Sequence, residues 1–331
     1  MRGRSAAGLS GLLLFAAAAL LLSPLLGETA LRPGALWEDP AASPDAWILR
    51  ELRLPRAALA FLAGGTLALG GLAFQAMFRN PLATPFTLGV ASGASLGHAL
   101  ALACGATGLV LGLPAATWGT FGGALLAIGL VWLLARAKRA FASETLLLAG
   151  VAVTFFFSSL ILLIQYLSDF AESYRIIRWL MGSLDVVGWE EPMRLLPFAA
   201  ALALLLAAFA PRLDLLLTGD DLATGRGLDI RRTKEILFLA TSLAVGAVVA
   251  ACGPVGFVGM MAPHIARLLV GPGHRRLVPA AALFGGGFLV LSDALARILI
   301  APATLPVGVL TALLGGPFFL ALLLRRGGGR L

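Results

Sequence analysis

The sequence predicts an all-α fold, a polytopic membrane protein of about ten transmembrane helices. Three observations carry that expectation. Of 331 residues, 59% are hydrophobic and 13% charged, with a mean hydropathy of +0.94. A soluble domain is about 25% charged, so this chain lacks the polar groups to cover its own surface. The apolar runs are about 20 residues long, enough to cross a hydrocarbon core as helices that satisfy their own backbone hydrogen bonds. The alternating segments of about ten residues that mark a membrane barrel do not occur in the sequence.

In chain order, the spans fall near 9–27, 56–78, 86–104, 109–134, 143–167, 194–210, 233–252, 257–271, 277–297 and 305–324. Those at 86–104 and 257–271 are short or interrupted. The first has Arg2 and Arg4 ahead of a leucine-rich core, as a signal peptide would. Its apolar stretch is long for that and no A-x-A site follows, so an uncleaved helix is expected. Two long polar segments separate spans, 28–55 with Pro33, Pro40 and Pro44, and 168–193. Within the second, SYRIIRWLMGSL reads as a short interfacial helix, with Trp179 and Trp189 suited to the headgroup level. The whole of 1–331 reads as one transmembrane domain with no soluble domain.

Charge sets the expected topology. With the N-terminus inside, 17 of the 25 basic residues fall on the inner side. The other eight, Arg32, Arg50, Arg53, Arg56, Arg175, Arg178, Arg194 and Arg297, fall outside. This is the positive-inside bias, and it places both termini in the cytoplasm. The net charge of +8 follows the loops and is no sign of nucleic-acid binding.

The polar island PRLDLLLTGDDLATGRGLDIRRTKE, at 211–235, lies between two apolar runs on that inner side. It must sit in water and is too short to be a domain, so it reads as a contact surface for a soluble partner. Gly219, Gly225 and Gly227 would allow tight turns. Asp220, Asp221, Arg226 and Asp229 give it mixed charge.

Elsewhere, Pro81 and Pro85 interrupt helix geometry, and Gly89, Gly93 and Gly97 follow at the four-residue spacing of close helix packing. Gly253, Pro254, Gly256 and Gly259 suggest broken helix. His264 follows Pro263 within a span, but no second ligand recurs at metal spacing; His264 and His98 read as hydrogen-bonded packing residues. His274 reads as a loop residue beside Arg275 and Arg276, and Cys104 and Cys252 as core residues. No metal site is expected. Asp293, inside a span, sits at helical pairing distance from Arg297.

An ordered set of segments then carries a resemblance. It comprises LRLPR at 52–56, the stretch from Gly70 to Gln75, RNPLATPFTLGVASGA from Arg79, and WLMGSL at 179–184. It continues through TGDDLATGRGLDI at 218–230, the run from Gly253 to Ala280, and LPVGVLTALLGGPFFL at 305–320. The chain resembles the FecCD-type permease subunits of type II ABC importers, which move iron-siderophores, haem and cobalamin. The resemblance spans residues from about 50 to 325.

That resemblance implies a permease in the bacterial inner membrane, paired with a second copy of itself, two ABC ATPase subunits and a periplasmic or lipid-anchored substrate-binding protein. It implies that 218–230 is a pair of short cytoplasmic coupling helices seated on the ATPase. It gives Arg53, Arg56 and Arg297 as the arginines that dock the binding protein, through planar forks suited to carboxylates. Asn80 and Leu82 fall where the family narrows the inner end of the pathway; Ser143 and Glu144, opening the fifth span near the same level, read either as further gate residues or as the cap of that helix. Thr304 stands where the family has an acidic residue before its LPVG turn. No cofactor is expected in the chain; ATP and Mg would bind the partner ATPase, since the sequence has no phosphate loop of the G-x4-G-K-[ST] kind. The expected function is alternating-access import of a metal chelate, ferric siderophore ahead of haem or cobalamin, with no covalent chemistry.

Two other classes stay open on residues alone. An ion- or proton-coupled secondary transporter would use midplane acids or a histidine relay, in which the chain is poor. A membrane prenyl transferase would carry two acidic metal motifs, and Asp220-Asp221 has no second cluster to match it.

Overall fold

The structure, a computed structural model, describes residues 2–27, 32, 34, 37–41, 43–106, 108–110, 113–137, 143–301 and 303–327; side chains are left aside at 2–6, 135–137, 143–145, 323 and 325–327. Helix α1 (Arg2–Leu22) runs into a 3-10 turn at Ser23–Leu25. The short α2 (Pro44–Trp47) and a π-helical turn at Ile48–Arg53 lead without a break into α3 (Leu54–Phe78). The end of the expected polar segment 28–55 is therefore helical.

After a 3-10 turn at Pro85–Leu88 comes α4 (Val90–Ala103). A two-residue hairpin, β1 (Leu109–Val110) with β2 (Leu113–Pro114), precedes α5 (Ala115–Ala137). Then follow α6 (Ser143–Leu167), α7 (Phe170–Leu180) and α8 (Glu190–Leu216). The chain closes with α9 (Asp220–Gly225), α10 (Ile230–Cys252), α11 (Val258–Val270), α12 (His274–Ile298) and α13 (Val307–Gly327).

Among the described residues, seven helices are long and apolar enough to cross a membrane: α1, α2 with α3, α5, α6, α8, α10 and α12. The shorter apolar helices α4, α11 and α13 complete a set that matches the expected spans one for one. Helix α8 extends past its expected span at both ends, taking in Glu190 to Met193 at its start and the first six residues of the island, from Pro211, at its end. Glu190 and Glu191 sit in its first turn, where they favour the helix dipole.

Helix α3 is the centre. In its most apolar window 83% of residues are buried, against 22–28% in α1, α5, α6 and α8. It packs against α8, α10, α11 and α12, while α4, α5 and α6 form a second group joined to it through α10. Small residues set these approaches. A Cβ on Gly71 would strike the backbone of Gly259 in α11, and Cβ atoms on Gly93 and Gly97 would strike the backbone of α5 at Gly123 and Gly119. The expected glycine packing face is thus present at 93 and 97, whereas Gly89, at φ 80°, caps the start of α4 instead. Substituting Gly71→Ala is expected to destabilise the fold by about 1–3 kcal/mol through overpacking; the thermal midpoint of the purified chain in detergent measures it.

Arg79 ends α3 in a left-handed conformation, φ 50°. Asn80 and Pro81 follow, and Thr84 and Thr87 bond to one another across the next turn (Thr84 N–H to Thr87 Oγ1, 3.2 Å; Thr87 Oγ1–H to Thr84 O, 2.6 Å). The expected break at 253–257 is also present, with Gly253 and Phe257 at positive φ (68° and 66°).

Candidate functional sites at the two ends of the bundle

Polar contacts concentrate at two opposite ends. One end carries the island. Helix α8 stops at Leu216, Gly219 turns the chain at φ 107°, and α9 begins at Asp220. Its far end closes with Gly227 N–H on Thr224 O (2.9 Å) and Leu228 N–H on Ala223 O (3.1 Å). That pair of bonds is a Schellman closure, which needs the left-handed residue that Gly227 supplies at φ 81°. Asp229 then caps α10, its carboxylate accepting from Arg232 N–H at 2.9 Å.

The island therefore holds one short helix and a capped turn, where two short helices were expected. Gly225 is the last residue of α9 and makes no turn. Ala223 and Leu228 tuck inward; Asp221, Leu222, Thr224, Gly225, Arg226, Gly227 and Asp229 face out. Leu222 is 62% exposed at the centre of this polar surface, an apolar knob that the charge pattern concealed.

Asp220 turns the other way. Its Oδ2 accepts from Lys234 Nζ at 3.3 Å, and its Oδ1 lies 3.3 Å from Arg79 Nη2. The Lys234 side chain is 4% exposed, so Asp220 is the counter-charge of a buried ammonium. One carboxylate thus ties the short helix to α10 and to the break after α3. Next to Arg79, Asn80 Oδ1 accepts from Leu82 N–H at 2.9 Å, so Asn80 orders the turn and leaves Leu82 exposed. Ser143 and Glu144 open α6, but their side chains lie outside those described.

His274 corrects the loop expectation. It opens α12, is fully buried, and places Nδ1 2.6 Å from Asp214 Oδ1 on α8. Gln75, buried in α3, donates to Met260 O at 3.2 Å and accepts from Arg267 Nη2 at 3.3 Å.

The other end carries the three arginines. Arg56 forks onto Asp293, Nε to Oδ2 at 2.9 Å and Nη2 to Oδ1 at 2.8 Å, and its Nη1 meets Asp185 at 2.5 Å. Asp293 is 1% exposed and also takes Arg297 Nε at 3.3 Å, the helical pair expected from the sequence. Arg297 donates further to Leu26 O and Ser23 O (3.0 and 3.2 Å), and Arg53 to Pro24 O at 3.1 Å. These bonds fasten the turn after α1 to α3 and α12. All three side chains are turned into the fold, around a cavity of about 400 Å³ that Asp185, Val187 and Thr304 also line.

The remaining candidates are packing residues. His98 stacks on Trp179 of α7 (3.9 Å between centroids, 8° between planes) and bonds Thr120 at 3.1 Å. Trp179 thus packs on α4, while Trp189 caps α8 and is exposed. His264 lies edge-on to Phe318 of α13 at 6.3 Å. Among the described residues no three His, Cys, Asp or Glu side chains cluster as metal ligands. Cys252 is buried, but Cys104 is exposed past the end of α4, not a core residue.

A bundle of apolar helices, two of them short and broken, with its polar contacts gathered at the ends, defines a polytopic membrane permease. The sequence matches the FecCD transport family over residues 13–325, and the chain belongs to that family. It is 38% identical to the vitamin B12 import system permease protein of Escherichia coli (93% of this chain, 92% of the relative). It is 36% identical to the hemin transport system permease protein of Yersinia pestis (91% and 90%) and 40% identical to a cobalamin import permease of Halobacterium salinarum (83% and 73%). Its fold matches a solved ABC transporter of metal-chelate type in an inward-facing conformation, with a TM-score of 0.84, 30% identity, and 96% and 99% of the two chains covered. The chain is a FecCD-type permease of the metal-chelate ABC importers.

Proposed function

We propose that two copies of this chain form the membrane channel of an ATP-driven importer, with the island end in the cytoplasm and the arginine end outside. Two ATPase subunits, which bind ATP and Mg, seat on α9, and a periplasmic or lipid-anchored binding protein delivers the chelate at the opposite end. The observation that carries this reading is the shape of the island: a short helix with Leu222 outward and Asp220 fastened inward to Lys234 and Arg79. A partner that moves Leu222 moves Asp220, and Asp220 pulls on the Asn80–Leu82 turn. Asn80, Leu82, Ser143 and Glu144 then act near the inner gate. Import proceeds by alternating access, with ATP binding and hydrolysis setting the position of α9.

The docking reading changes in physical detail. The fork of Arg56 is engaged by Asp293 and Asp185, so Arg53, Arg56 and Arg297 meet carboxylates of the binding protein by exchanging internal contacts around the cavity they line. Thr304 brings no carboxylate of its own to that cavity. The named relatives are cobalamin and hemin permeases, which favours a tetrapyrrole-type chelate over the ferric siderophore suggested by family breadth.

The test is uptake of cobalamin, haem and a ferric siderophore into proteoliposomes holding the permease, its ATPase and its binding protein. ATP-dependent uptake that survives an uncoupler is expected. Uptake that collapses with the proton gradient while ATP is maintained would favour the secondary-transporter alternative. In a Cys104→Ser background, which removes the exposed native thiol, a cysteine at Gly225 is expected to react with a membrane-impermeant maleimide only from the cytoplasmic face; labelling from outside would reverse the topology.

A further inference from the structure

Helices α5 and α8 both pack on α10, and between them α10 presents only small side chains, Ala247, Ala250 and Ala251. The result is a cavity of about 440 Å³, within the range of small-ligand pockets. It lies between α5 and α8, whose most apolar windows are only 28% and 22% buried. Its walls are aromatic: Trp118 and Phe121 from α5 and Phe198 from α8, with the rings of Phe121 and Phe198 6.2 Å apart, edge to face. In a bilayer this space adjoins acyl chains, and an apolar slot of this size excludes water.

One edge of the slot is charged. Glu191 and Arg194 of α8 line it and pair at 2.6 Å, and Glu190 reaches the same guanidinium at 3.1 Å. Two carboxylates against one guanidinium leave a single negative charge, at the end of the bundle where α8 begins.

We propose that this slot is a binding site for phosphatidylethanolamine. One acyl chain lies along the alanine floor between Phe121 and Phe198. The phosphate meets Arg194, and the primary ammonium meets Glu190 and Glu191 with three N–H donors, so that the two lipid charges each face an opposite charge and binding adds no net charge to the site. Phosphatidylglycerol has no ammonium and adds a second negative charge. Phosphatidylcholine has the positive charge but no N–H to donate. The residues that line the slot are not among those that line the arginine cavity, and none belongs to the island.

The test is native mass spectrometry of the full chain released from nanodiscs with equal parts of the three lipids. Retained phosphatidylethanolamine is expected to exceed phosphatidylglycerol by about tenfold, as for one charge-assisted contact of ~1.5 kcal/mol. Ala247→Leu fills the floor and is expected to remove that adduct, with unchanged elution on size exclusion as the check on folding. The double variant Glu190→Gln with Glu191→Gln leaves the slot open and is expected to abolish the preference for phosphatidylethanolamine while still retaining lipid. Equal retention of phosphatidylethanolamine and phosphatidylglycerol by the parent chain overturns the proposal. So does an undiminished adduct in a folded Ala247→Leu chain, or an unchanged preference in the Glu190/Glu191 variant.

Discussion

Substituting Asp220→Lys is expected to abolish cargo uptake in the assembled importer while ATP hydrolysis continues. The residue opens the short helix of the island, and it holds two cations on two other segments. Lysine there would set three positive charges against one another, with Lys234 buried and without a counter-charge. Leaving a buried charged group unsatisfied costs about 1–3 kcal/mol or more, a factor of roughly 5 to 150 in the equilibrium between transport states. Asp220→Asn, which keeps the shape and loses the charge, should give an intermediate loss. Asp221→Lys, one residue along on the outward face, should weaken ATPase seating and leave the internal ties intact. The measurement is the ratio of chelate imported to ATP hydrolysed in proteoliposomes. A ratio equal to the parent's in Asp220→Lys would remove Asp220 from the path of force.

Asp293→Ala should have the largest effect on stability. This carboxylate is almost fully buried and pairs with both Arg56 and Arg297. Removing one partner of a buried pair costs about 3–5 kcal/mol, because the remaining charge stays buried. The thermal midpoint in detergent should fall steeply, and the chain should lose its monodisperse elution. Replacing all three at once, Arg56→Met, Asp293→Leu and Arg297→Met, should recover much of the midpoint, since apolar groups of similar volume replace buried ion pairs at little cost. That triple variant should nonetheless bind the proposed binding protein poorly, having lost two of the three arginines that line the cavity. A triple variant as unstable as Asp293→Ala would mean that packing, not charge, holds this end together.

Length and hydropathy made the helices legible, because a bilayer imposes nearly the same requirement on every span. Breaks were legible where proline or glycine forced them, as at Pro81 and at 253–257. Local pairings were legible too, and Asp293 with Arg297 is the clear case, since the helix repeat alone brings them together. Contacts between distant segments were not. Arg79 and Lys234 counted only as inner-side charges, and nothing in their spacing pointed to Asp220. His274 beside two arginines looked like loop, and its burial depends on Asp214, sixty residues earlier. The arginine end was found by resemblance, yet which way the side chains turn could not be read from LRLPR. Leu222 was hidden for a plainer reason: one leucine in a chain so rich in leucine carries no contrast.

Helix α3 has a consequence for how the two ends communicate. Its 25 residues span about 37 Å at 1.5 Å per residue. Arg56 is anchored at one tip, and Arg79, just past the other, is anchored to the island. With most of its length enclosed and its glycines in backbone contact with neighbours, α3 has little room to bend or compress. It is built as a strut, so a tilt imposed at the tip beside Arg79 would reappear at the tip beside Arg56. Release of ligand by the binding protein and rotation of the ATPase pair would then be two readings of the orientation of one rod.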